Sequence, residues 1–162
     1  MQMRQIAPLT ALAAALSLAE RLLPGPLPWL KPGLANIITL ALAARGEYRT
    51  AVLVSILRSF VAALAWGGLF SPGHIFSLAG GICAAGVTVF LCRVLPGVIS
   101  LIGVSVAAAL AHGLGQLAAG RLLFVSQDAV LAVLPLVLLA AVATGVIVGL
   151  ATRKVLARGW LG

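Results

Sequence analysis

Charge is so sparse along this chain that its ionisable residues punctuate six apolar stretches instead of covering a surface. Only 9% of the 162 residues are charged while 62% are hydrophobic, and the mean hydropathy is +1.19. A soluble domain carries about 25% charged residues. A chain this poor in charge cannot clothe itself for water, so its apolar excess needs lipid as solvent. The expectation is an all-α polytopic membrane protein, a single integral membrane domain over 1–162 with no soluble module.

The stretches run from about Ile6 to Leu23, Gly33 to Ala44, Thr50 to Phe70, Ile75 to Cys92, Val98 to Gly120 and Ala129 to Ala151. Four of them approach the ~20 residues needed to cross a ~30 Å hydrocarbon core. The second is short unless residues around Trp29 and Leu30 contribute. The first has the basic start and apolar centre of a signal peptide. Glu20-Arg21 and the prolines that follow read instead as the end of a span and a turn, so a retained helix is expected.

The formal net charge of +8 does not point to nucleic acid. Binders of nucleic acid gather Lys and Arg into a stripe on a soluble face, whereas here they stand singly at helix ends, as membrane anchors do. With six spans, one side holds Arg4, Arg45, Arg49, Arg93, Arg153, Lys154 and Arg158, and the other holds Arg21, Lys31 and Arg121. The positive-inside rule then puts both termini in the cytoplasm, in the cell membrane. Cys83 and Cys92 stand nine residues apart on opposite faces of one helix, too poorly aligned to pair there or share a metal.

Function is sought where a polar side chain interrupts a span, because an ionisable group there costs several kcal/mol and faces a cavity or a partner. Arg58 lies nine residues beyond Arg49, about 14 Å along a helix, near mid-membrane. Either it caps carbonyls or pairs with one of the three carboxylates, or it meets an anionic ligand group. His112 and Gln116 project from one helix face at a matching depth, flanked by Gly113 and Gly115, which leave room for a backbone or a ligand. They fit a ligand site, or an interhelical hydrogen bond of about 0.6 kcal/mol. Asn36 either caps the short second helix or touches ligand. Glu20, Arg21 and Lys31 flank the Pro-rich loop as a surface ion pair or as a charged gate.

Small residues form two stripes, Ala11/Ala15/Ala19 and the Gly145-x-x-x-Gly149 pair. Both allow close helix packing, within the chain or against a partner subunit. No HExxH, CxxC, GxSxG or Walker loop is present. One Asp and two Glu leave little scope for paired-carboxylate chemistry. The sequence therefore implies no enzyme, no cofactor and no metal, and an ATP-driven function would need other subunits.

Three blocks resemble a known family. Lys31-Pro32-Gly33-Leu34-Ala35-Asn36-Ile37-Ile38-Thr39-Leu40 is similar to the K-x-GLANI-x-TL signature of the Gx transporter family. Phe70-Ser71-Pro72 with Ser77-Leu78-Ala79-Gly80-Gly81, and Ile102-Gly103-Val104-Ser105 through Ala111-His112-Gly113-Leu114-Gly115-Gln116-Leu117, match in order and spacing. That family is also labelled heptaprenyl diphosphate synthase component I. The resemblance implies a six-helix bundle like the S components of energy-coupling factor vitamin transporters. It implies a small-molecule ligand, vitamin-like or anionic and prenyl-type, bound from the extracellular side in a cavity lined by Arg58, His112 and Gln116. Asn36 and Lys31 would stand near its mouth. It also implies a gate after the first helix and a transmembrane coupling subunit, with ATPases, docked on Ala11, Ala15 and Ala19. A non-transporting subunit that anchors a redox or isoprenoid/quinone-biosynthesis complex is the alternative. Synthase chemistry itself sits badly with the residues: prenyl transfer holds Mg²⁺-diphosphate between Asp-rich motifs, and one Asp cannot build them.

Overall fold

Backbone polar groups in lipid must be satisfied within the chain, which leaves helices as the economical solution for runs of Ala, Leu and Val. The computed structural model describes residues 5–22, 33–123 and 126–159. Those residues form six helices: α1 (Ile6–Leu22), α2 (Asn36–Ala44), α3 (Tyr48–Ala65), α4 (Pro72–Val94), α5 (Leu101–Leu123) and α6 (Gln127–Ala157). Four of them, α3 to α6, are long and apolar enough to cross a membrane. Their outward faces carry Leu57, Val61, Ile82, Leu139, Val142 and Ile147 among other exposed large apolar side chains, a surface made for lipid. The chain is a multi-pass membrane protein.

Local chemistry sets the ends. Ser71 caps α4, its Oγ accepting from the His74 N–H at 3.2 Å, and Pro72 takes the first helical position, where a missing N–H costs nothing. The helix therefore starts three residues ahead of its apolar run. Ser100 accepts from the Gly103 N–H at 3.1 Å and starts α5 at Leu101, three residues later than hydropathy suggests. Gly46 and Gly67 adopt positive φ of 80° and 69° just after α2 and α3, the left-handed turn that ends helices without a Cβ penalty. Gly67 ends α3 five residues short of Phe70. In contrast, α6 runs six residues past Ala151, carrying Arg153 and Lys154 on a continuous helix.

Nine residues give α2 a length of about 14 Å at 1.5 Å per residue, under half a bilayer core. Ile38 to Ala43 are all buried, so α2 is an interior helix, apolar all round. Its Ile38, Leu42 and Ala43 meet Leu9 and Ala13 of α1 and Ala51 and Val54 of α3. Beside this core, α4, α5 and α6 pack in sequence through glycines. A Cβ on Gly145 would sit 2.6 Å from Val106 Cα, and one on Gly149 2.8 Å from Ile102 Cα. The GxxxG pair thus seats α6 on α5 within the chain. Ala11, Ala15 and Ala19 face outward and are exposed, because Ala13 and Ala14 form the inward face of α1.

Candidate functional site

Between α2 and the long helices lies a cavity of about 380 Å³, at the lower end of the ~300–1,000 Å³ range of small-molecule sites. Every helix contributes to its wall. Arg58 and Ser59 come from α3, Asn36 and Thr39 from α2, His74 and Ser77 from α4, His112 and Gln116 from α5, Ser17 and Glu20 from α1, and Val137 and Thr144 from α6. The rest is small and apolar, as at Ala84, Ala108, Ala109 and Ala141.

Arg58 is the organising residue. It is 8% exposed, and its two terminal nitrogens donate to Asn36 Oδ1 at 2.6 Å and Ser17 Oγ at 3.2 Å. Both bonds are charge-assisted, about twice as strong as neutral ones, and the one to Asn36 is the shorter. Asn36 is the first residue of α2, which has no side-chain cap on Ala35; its side chain serves the arginine. Glu20 is the carboxylate whose field reaches Arg58. It is 5% exposed and accepts the Leu34 N–H, tying the end of α1 to the start of α2. It is thus a buried group, while Lys31 and the Arg21 side chain, which would complete a surface pair with it, lie outside the described residues. The only salt bridge found among the described side chains joins Arg45 to Glu47 at 3.6 Å.

His112 reaches the cavity because α4 comes unusually close to α5. A Cβ on Gly80 would stand 2.8 Å from the His112 carbonyl and 2.9 Å from both His112 Nε2 and Gln116 Cγ. The imidazole hydrogen-bonds the Gly80 backbone. Gly115 answers from α5, where a Cβ would meet Cys83 Sγ at 2.8 Å and the Ala79 carbonyl at 3.1 Å. Gly113 is closed by Val137 of α6. Both glycines make room for neighbouring helices, and Gly113 also lines the cavity.

Three polar atoms in this cavity wall are buried with no hydrogen-bond partner: Thr39 Oγ1, Arg58 Nε and His112 Nδ1. Thr88 and Thr152 return their hydroxyls to the carbonyl four residues back, both at 2.8 Å; Thr39 does not. Buried polar groups are normally satisfied, so these three enclosed atoms are exceptions within the residues that line the cavity.

The match to a family model now falls on a site already described. The model for heptaprenyl diphosphate synthase component I covers residues 9–155. This chain belongs to that family. No curated protein and no solved structure matches it. The matched range takes in all six helices in whole or part, and every cavity residue named above.

Of the residues singled out in this component I chain by sequence, Arg58, His112, Gln116 and Asn36 line one cavity. Lys31 lies outside the described residues. Sequence reasoning missed His74, which is 3% exposed, faces Ser59 Oγ across 3.4 Å and packs edge-on to Phe60 with ring centroids 5.1 Å apart. Its position after Ser71-Pro72, read as loop, hid it; the Ser-Pro cap signal would have made it helical. Ser17 and Ser59 carried no sequence signal, since hydroxyls are ordinary in membrane helices.

Proposed function

We propose that the chain is the substrate-binding membrane subunit of a small-molecule transporter, similar to the S components of energy-coupling factor systems. The observation that carries this reading is the polar cavity enclosed by a lipid-facing bundle, with its three unpartnered polar atoms. A polar hollow there is stable only if something polar fills it. The ligand enters from the extracellular side, at the end of the bundle where α3 meets α4. The outward-facing Ala11, Ala15 and Ala19 supply a flat surface for a transmembrane coupling subunit, and separate ATPases supply energy. The chain itself performs no chemistry.

The test is a thermal-shift screen of vitamins, flavins, quinone precursors and prenyl phosphates on the detergent-solubilised protein. At least one class is expected to stabilise the wild type, with the shift lost in an Arg58→Ala, His112→Ala double variant. If no class stabilises the wild type more than the double variant, the cavity is not a binding site.

One observation favours the alternative, a non-transporting subunit that anchors an isoprenoid or quinone-biosynthesis complex. Arg58 already holds two protein oxygens, on Ser17 and Asn36, as a structural arginine would. This reading predicts co-purification with a biosynthetic partner and no ligand-induced stabilisation.

A further inference from the structure

Among the described residues α6 packs chiefly on α5 and α2, and the packing is uneven along its 31 residues. From Val137 onward a buried stripe runs through Ala141, Gly145, Val148 and Thr152. Gly145 and Gly149 seat this part on α5, and Val148 lies 4.0 Å from the Cβ position of Gly33, just ahead of α2. Toward the N-terminus Val130, Val133 and Leu134 continue the same stripe, yet no residue from Asp128 to Leu136 is buried. Segments that bury little are the ones that open locally, so the first third of α6 is held more weakly than the rest.

Pro135 stands at this boundary, inside the helix. Proline has no N–H, so the Leu131 carbonyl loses its partner four residues on, and the ring crowds that carbonyl. The backbone ladder is thinnest there, where helices bend.

The boundary also falls at the edge of the cavity, whose lining begins on α6 at Val137 and extends on α5 to Gln116. The Cβ position of Gly113 is 2.7 Å from Val137 Cγ1, which sets these two helices in register. Pro135, two residues beyond Val137, is then level with Gln116, three beyond Gly113, to within about 2 Å at 1.5 Å per residue. On α4 the lining reaches further, to Gly73 and His74, and Gly73 is exposed. Gly80 abuts His112, and His74, six residues before Gly80, lies about 9 Å beyond that contact. Through both contacts, its height corresponds to about Ala132 on α6, past Pro135. The open end of the cavity therefore stands at the height of the weakly held third of α6.

Resting on the binding role given above, we propose that the first third of α6 is a gate to the cavity, hinged at Pro135. Bending there moves Asp128 at the open end, while the wall from Val137 inward stays seated on α5. Asp128 is seven residues from the hinge, about 10 Å at 1.5 Å per residue. A change of about 20° in bend carries it about 4 Å.

Double electron–electron resonance on the full chain in nanodiscs tests the hinge. In a Cys83→Ala, Cys92→Ala background, spin labels at Asp128 and Leu64 report across the hinge, and labels at Ile147 and Leu53 report below it; all four positions are exposed. The upper distance distribution is expected to be wider than the lower by several ångströms, and to narrow to the lower width in Pro135→Ala. Equal widths overturn the hinge. So does a wide upper distribution that Pro135→Ala leaves unchanged, as fraying of the helix end would. Access is read from the rate at which a small water-soluble methanethiosulfonate modifies Ala141→Cys, a buried position in the cavity wall. Pro135→Ala should slow that reaction several-fold; an unchanged rate, or no reaction with Pro135 in place, overturns the gate. Neither measurement uses a ligand, so both can fail while the thermal-shift screen still finds one, and the reverse.

Discussion

Gly80→Ala and Gly81→Ala differ by one position on α4 and should behave oppositely. A methyl at Gly80 would sit 2.8 Å from the His112 carbonyl oxygen and 2.9 Å from Gln116 Cγ and His112 Nε2. Normal separations are about 3.5–4.0 Å, so α4 and α5 would have to part by up to about 1 Å. The obstacle includes backbone, which cannot swing aside as a side chain can. Parting the helices also loosens the reciprocal contact of Gly115 on Ala79 and Cys83. Overpacking of this kind costs about 1–3 kcal/mol, and at about 2–4 °C per kcal/mol for a chain of this size the melting temperature should fall by about 2–12 °C. At Gly81 the nearest atom, Ser55 Oγ, is 3.5 Å away and Arg58 follows at 3.9 Å, ordinary contact distances. There the helix propensity of alanine, up to about 1 kcal/mol over glycine, is gained without a clash. Thermal unfolding of both variants in one detergent, with Gly86→Ala as the open-space control, makes the comparison. Equal melting temperatures for Gly80→Ala and Gly81→Ala would refute the close approach of α4 to α5 that carries His112 into the cavity.

Asn36→Leu removes the 2.6 Å acceptor of Arg58 and should cost about 1.5–3 kcal/mol, as hydrogen bonds to charged groups do; Ser17→Ala, at 3.2 Å, should cost less, both read from denaturant unfolding. Gly145→Ala and Gly149→Ala should each lower the melting temperature without changing oligomeric state by size exclusion, because both glycines seat α6 on α5 of the same chain. For orientation, single cysteines at Leu69 and Val98, both exposed, in a Cys83→Ala, Cys92→Ala background should separate cleanly in intact cells. A membrane-impermeant maleimide is expected to label the Leu69 position and not Val98; the reverse pattern would invert the assignment of both termini to the cytoplasm.

The helices were legible in the sequence because lipid demands long apolar runs, and their ends were not, because apolarity reports solvent while capping reports backbone. At α6 the two signals part: the apolar run stops at Ala151, yet nothing there stops a helix, and it continues through Arg153 and Lys154. At α4 they part the other way, with Ser71 and Pro72 opening the helix before the apolar run begins. The site follows the same logic. Arg58, His112, Gln116 and Asn36 stood out because each is expensive in a membrane, and depth along the helix sufficed to bring them together. Rotation about the helix axis could not be read so directly, because faces are fixed by neighbours. Gly113 and Gly115 were read as space for a backbone or a ligand: Gly115 takes the backbone of Ala79 with Cys83, while Gly113 packs on Val137 and lines the cavity. Arg58 shows most clearly what three carboxylates in the whole chain could and could not say. Their scarcity suggested an arginine with little protein to bind. It is held instead by neutral oxygens on Asn36 and Ser17, with the Glu20 carboxylate acting on it. Neutral partners fix the guanidinium in place through its terminal nitrogens, so the same contacts that make Arg58 structural leave its enclosed Nε–H without a bond.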